Sequence, residues 1–208
     1  MRSDAMKRVD VLRAAREDAG VLLVGLDFDG TLAPIVPVPT DARLPEDTEQ
    51  VMRALARRSD THVAIVSGRG LADLRSRVPL EDVYFAGNHG LEIDGPDLHR
   101  MHPDAEAAQP RLAALADALR RELPALPGVI VEDKGFTLSV HYRMVVDERA
   151  GEEIRQLVRR RAGREEGVVI TEGKKVVEIR PDVDWNKGRA FEFVRASIDS
   201  LHGRGPAL

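Results

Sequence analysis

The chain has 208 residues, 43% hydrophobic and 32% charged, with 31 basic against 35 acidic side chains for a net charge of −4; that is a core-forming composition, and it excludes a disordered tail or a protein held to nucleic acid by bulk positive charge. With no cysteine there is no disulfide frame, thiolate nucleophile, cysteine zinc site or iron–sulfur cluster. The longest apolar run, Val21 to Leu26, is too short for a membrane span, and the opening MRSDAMKRVD lacks the apolar stretch of a signal peptide. A cytoplasmic protein with no membrane or nucleic-acid partner is expected, although a cysteine-free chain also suits a periplasm.

The first twenty residues alternate charge with Val9, Val11, Leu12 and Ala15 and predict a short amphipathic helix ending at Gly20. Val21 to Leu26 then reads as a strand covered on both faces, running into Asp27-Phe28-Asp29-Gly30-Thr31 and a loop with Pro34, Pro37 and Pro39. Leu44-Pro45 opens a helix with Glu46, Asp47 and Glu49 in its first turns and Arg57 and Arg58 in its last, as the helix dipole favours. Thr61 to Val66 is a second strand ending at Ser67-Gly68-Arg69, followed by Leu71, Leu74 and Val78 at helical spacing. Val83 to Ala86 is a third, ending in Gly87-Asn88-His89-Gly90. This alternation predicts an open, parallel α/β sheet whose conspicuous polar residues sit past the carboxyl ends of the strands, where such sheets hold ligands.

From about Pro96 the rhythm changes. A helix from Asp104 to Leu123 leads to strand-like segments Val129 to Asp133 and Phe136 to Tyr142. A second helix, through Ile154, Leu157 and Val158, leads to Val168 to Thr171 and Lys175 to Arg180, joined by a turn holding Glu172-Gly173-Lys174. This is an α+β module with an antiparallel sheet, expected over 98–182. The first module, 1–97, is re-entered over 183–208 near Trp185-Asn186-Lys187-Gly188, at the start of a last helix through Phe191, Val194 and Ile198.

An Asp-x-Asp pair leaving a buried strand suits a nucleophile and a general acid, with oxygens for a hard cation, in one crevice. The same residues also suit a simple turn; a calcium loop fits less well, because a strand precedes them and Leu32, Ala33 and Pro34 follow. Ser67-Gly68-Arg69 offers a hydroxyl and backbone N–H groups to a phosphoryl oxygen, or caps the next helix. Lys187 offers an ammonium to a charged phosphoryl group, or is an ordinary solvated lysine. In the second module, residues two apart share a strand face, which puts Glu132 with Lys134, His141 with Arg143, and Glu178 with Arg180. These pairs suit sugar hydroxyls, or the wet face of a half-buried sheet.

The segments LDFDGTLAPIV, VAIVSGRGLADL, FAGNHGLEIDGP, VEDKGFTLSVHYR, EGKKVVEIRP and DWNKGRA together resemble the trehalose-6-phosphate phosphatases of the haloacid dehalogenase superfamily, over about Val21 to Ala190. The resemblance implies a Rossmann-like core, a parallel sheet with helices on both faces, carrying an inserted α+β cap. It implies Asp27 as the nucleophile that forms an aspartyl-phosphate and Asp29 as the general acid and base. Mg²⁺ would lie between the Asp27 carboxylate, the Asp29 backbone carbonyl and a sugar-phosphate substrate. Ser67 and Lys187 would bind phosphoryl oxygens, with Arg69 and Asn88 in support. Glu132, Lys134 and Glu178 would contact the glucose units, with His89, His141, Arg143 and Arg180 around them.

The likeness has a gap. The family carries a further strand and an acidic segment of the GDDxTDED kind after the Lys187 helix, and no such cluster precedes Leu208. The core is therefore expected to be C-terminally incomplete, with weakened Mg²⁺ binding and an open edge on the Asp27 strand. A second sugar phosphatase with the same kind of cap, such as one for sucrose phosphate, and a non-catalytic module that binds trehalose phosphate are the rival readings. No protein partner is named by the sequence.

Overall fold

β-Branched and aromatic residues bounded by glycine and aspartate form the strands that the sequence predicts, in a computed structural model that describes residues 21–36, 38–123 and 127–201. The helix expected over the first twenty residues lies outside the described residues. β1 (Leu22–Asp27), β2 (Thr61–Val66) and β3 (Tyr84–Gly87) run parallel, with α1 (Glu46–Ala56) and α2 (Leu71–Arg77) between them. β4 (Glu92–Gly95) and β5 (Leu98–Met101) extend the same sheet antiparallel, in the order β1-β2-β3-β4-β5.

Strand alternation sends side chains to two different cores. Val63 and Ile65 of β2 pack with Phe28, Met52, Leu74 and Phe85 beside α1 and α2. Ala64 and Val66 pack with Val194 and Ile198 of α5 (Lys187–Leu201). The sheet thus has helices on both faces. β2 and β3 are almost wholly buried, whereas β1 is only half-buried, because it pairs with β2 alone and forms the sheet edge among the described residues. β1, expected to be covered on both faces, is therefore only half-buried.

Between β5 and α5 the chain builds a second sheet with its own core. α3 (Pro103–Glu122) and α4 (Glu148–Ala162) cover one face of β6 (Ile130–Asp133), β7 (Leu138–His141), β9 (Val176–Pro181) and β8 (Val168–Gly173), all antiparallel in that order. Leu112, Leu115 and Leu119 of α3 meet Ile154 and Val158 of α4 over Leu138, Val140, Val177 and Ile179. Two boundaries differ from expectation. Leu98–Met101 belongs to the first sheet, because Pro96-Asp97 makes a two-residue turn, with Asp97 at φ 56°, that folds β5 back on β4. The β8–β9 turn falls at Lys174-Lys175, where Lys175 takes φ 58°, so Glu172 and Gly173 remain in strand.

Candidate active site

Register brings the carboxyl ends of the parallel strands side by side, since Asp27 pairs with Val66 and Val66 with Ala86. Asp27 is the last residue of β1. Its Oδ1 accepts the Phe28 N–H at 2.9 Å, and its Oδ2 accepts the Lys187 ammonium at 2.8 Å. The pair is partly exposed, Asp27 by 43% and Lys187 by 37%, so it contributes little to stability. The two residues line a hollow of about 330 Å³ with Gly25, Val66 and Phe191.

Asp29 lies beyond the strand, in a turn where the Thr31, Leu32 and Ala33 N–H groups all donate to the Phe28 carbonyl. Arg69 grips its carboxylate with two bonds, Nε to Oδ2 at 2.9 Å and Nη2 to Oδ1 at 2.8 Å. The same guanidinium donates to Asp73 at 2.9 Å and to the Pro39 carbonyl at 2.9 Å, and it lies over the Phe28 ring. Burial pulls Arg69 down, but its bonds to Asp29 and Asp73 outweigh that and raise it. Burial likewise pushes Asp73 up, and Arg77 and Arg69 more than reverse it. Asp29 and Arg69 line a cleft of about 260 Å³.

That cleft runs between the two sheets. One wall comes from the first, with Asp29, Ile35, Val36, Pro39 and Arg69; the other comes from the second, with Glu132, Lys134, His141, Arg143 and Glu178. Glu132 accepts from His141 at 2.8 Å; burial pushes its carboxyl up, and His141 and then Lys134 bring it below the ordinary range. The His89 imidazole, 3.6 Å from Glu178, holds that carboxyl down at about 2 against burial, helped by the Lys134 ammonium. Lys134 lies 3.6 Å from Glu178 and donates to the Gly68 carbonyl at 3.2 Å. Arg143 reaches across to the Val36 carbonyl at 3.3 Å.

Three expected site residues stand elsewhere. Ser67 is fully buried, and its Oγ accepts the Arg69 N–H at 3.2 Å within the turn. Asn88 is also fully buried, with both ends of its amide bonded inside the protein. Arg180 pairs with Val169 at the far end of β9 and does not line the cleft. His89 has φ 60° and lays its ring against Gly68.

Sequence reasoning missed the apolar wall of Ile35, Val36 and Pro39, which the prolines marked only as a loop. It also missed Asp73, signalled by its i+4 spacing from Arg69. Among the described residues no group of three or more His, Cys, Asp or Glu is placed to hold a metal. The Asp27 carboxylate and Asp29 carbonyl suit a hard cation that completes its shell with water and phosphate oxygens, as Mg²⁺ does.

The fold resembles that of a haloacid dehalogenase-like hydrolase from B. subtilis, which superposes with a TM-score of 0.50 at 15% identity, over 85% of this chain and 79% of that one. The C-terminal domain of Candida albicans trehalose-6-phosphate phosphatase superposes with a TM-score of 0.69 at 24% identity, over 94% of this chain and 67% of that one. A trehalose-6-phosphate phosphatase related protein superposes with a TM-score of 0.70 at 23% identity, over 88% of this chain and 74% of that one. The trehalose-phosphatase family model matches residues 25–206, and the chain belongs to that family. The trehalose-phosphate phosphatase of Mycolicibacterium paratuberculosis is 44% identical over 172 residues, which cover 82% of this chain and 43% of the relative. The chain thus spans less than half the length of that relative.

Proposed function

We propose that this protein is a phosphatase that hydrolyses trehalose 6-phosphate to trehalose and phosphate. The observation that carries the reading is the Lys187–Asp27 contact of 2.8 Å at the carboxyl end of β1, beside a cleft whose far wall is lined with acid and base, in a member of this family. Lys187 holds the Asp27 carboxylate in place. Asp27 Oδ attacks phosphorus, the bond from phosphorus to the sugar oxygen breaks, and the departing oxygen takes a proton from Asp29. Water then attacks the aspartyl-phosphate, Asp29 takes a proton from it, and cleavage of the acyl–phosphate bond returns free Asp27 and phosphate.

In the arrangement described, Asp29 accepts from Arg69, so it must leave that grip to meet the sugar oxygen. The second module acts as the cap. Glu132, Lys134 and Glu178 bind sugar hydroxyls across the cleft, and closure excludes bulk water while leaving the one water that attacks the acyl-phosphate. Mg²⁺, held by the Asp27 carboxylate and the Asp29 carbonyl, would neutralise phosphate charge when bound. Phosphate release from trehalose 6-phosphate is expected in the presence of Mg²⁺, lost with chelator, and lost in Asp27→Asn with the circular dichroism spectrum unchanged. Release by the Asn variant at the parent rate would refute Asp27 as nucleophile.

A further inference from the structure

We propose that Asn88 and Thr137 form a fixed joint between the two sheets and act as positioning residues for Lys134, so that a single buried hydroxyl sets how the sugar is held. The inference rests on the reading of Lys134 and Glu178 as sugar contacts.

The joint is built from both sides. Asn88 takes φ 48° in the turn after β3, a left-handed backbone that asparagine tolerates better than most residues. Its N–H donates to the Arg69 carbonyl at 2.6 Å, which seats this turn on the Ser67–Gly70 turn. The side-chain amide then makes three bonds, using both of its donor hydrogens. Nδ2 donates to Glu92 Oε1 and, at 2.9 Å, to the Lys134 carbonyl, while Oδ1 accepts the Thr137 hydroxyl at 2.6 Å. Two of these three bonds cross to the β6–β7 turn of the second module. That turn is closed by the Lys134 N–H donating to the Thr137 carbonyl at 2.9 Å. Its Phe136, only 3% exposed, packs with Leu91 of the first module and Ala105 of α3.

Lys134 links the joint to the cleft. Its backbone is bonded at both ends inside the joint, and its ammonium reaches the Gly68 carbonyl and Glu178. The other polar ties across the cleft, Arg143 to Val36 and His89 to Glu178, are longer and more exposed. These can part while the Asn88 amide stays bonded, which makes the buried joint the point about which the cleft opens. Removing the Thr137 hydroxyl strands Asn88 Oδ1 without a donor in a dry site, and a buried acceptor left unpaired is costly. Relief comes from turning the amide, which releases the Lys134 carbonyl and lets the ammonium drift.

Thr137→Val keeps the shape of the side chain and removes the hydroxyl; Thr137→Ser keeps the hydroxyl. The full chain and both variants are assayed with trehalose 6-phosphate and with p-nitrophenyl phosphate, alongside backbone amide exchange. Thr137→Val is expected to raise KM for trehalose 6-phosphate about tenfold, the loss a single stranded acceptor implies, and to leave p-nitrophenyl phosphate within about twofold. Amide exchange over 88–92 and 134–137 should quicken about tenfold in the same variant, and Thr137→Ser should return both readouts to the parent. Equal losses on both substrates, an unchanged KM, unchanged exchange or failure of the serine to rescue would each overturn the joint. A parent chain that turns over neither ester would instead defeat the phosphatase reading, and exchange together with calorimetric binding of trehalose 6-phosphate would still decide the joint.

Discussion

Asp27 and Asp29 are two residues apart, yet their surroundings give them different chemistry. Asp27 faces an ammonium and remains partly exposed, as a nucleophile must. Asp29 is clasped by a guanidinium that is 10% exposed, and on the proposed mechanism it has to leave Arg69 to reach the sugar oxygen. Because p-nitrophenolate leaves without a proton, Asp29→Asn should still transfer that phosphoryl group once and then stall, giving a burst of about one nitrophenolate per active site and a steady rate down by about 10²–10⁴. A linear trace with no burst would remove Asp29 from the second step. Glu178 supplies a pH test. Its carboxyl titrates near 2 in the folded protein against an ordinary 4.5, so the folded state binds that proton more weakly than the unfolded one. The stabilisation it contributes is complete above about 4.5 and is lost as pH falls toward 2. The stability gap between the parent and Glu178→Gln, measured by urea unfolding, should narrow across that window, and a constant gap would contradict the assignment.

At the scale of elements, the site depends on how closely the turns after β2 and β3 approach one another. Gly87 shows the constraint. A side-chain carbon there would lie 2.6 Å from the Leu71 N and 2.8 Å from its Cα, both backbone atoms at the start of α2 that cannot swing aside. Its φ of −89° is ordinary, so close approach and not backbone conformation demands glycine. Gly87→Ala should therefore cost about 1–3 kcal/mol through overpacking, seen as a Tm lower by several degrees in calorimetry. An unchanged Tm would mean that α2 slides freely on β3. Local order of the Asn88, His89 and Arg69 turns depends on the same contact, since Asn88 and His89 bond the Arg69 and Ser67 carbonyls.

At the scale of the whole molecule, two sheets with separate cores enclose one cleft. The second core is centred on fully buried Leu119, Leu138 and Ile179, and none of these belongs to the clusters of the first sheet. Leu119→Ala should cost about 2–5 kcal/mol and should quicken amide exchange across α3, α4 and β6–β9 while β2 and β3 keep their protection. Equal quickening of both sheets would show that the two cores unfold as one. No described helix is long and apolar enough to cross a membrane.

Apolar runs, turn residues and polar residues past strand ends made the alternating first module, the antiparallel second module and most of the cleft legible in the sequence, because periodicity and strand alternation are local properties. The face shared by Glu132, Lys134, His141 and Arg143 followed from alternation alone and lines the cleft. Where a side chain turns is a different matter, since it depends on partners far along the chain. Arg69, 40 residues away, clasps the Asp29 carboxylate. Thr137, 49 residues away, donates to the Asn88 amide oxygen from the other module. Sequence by itself determined the two modules and the chemistry available to them, while tertiary structure decided which groups meet, because bonds between distant residues are formed only when the chain has folded.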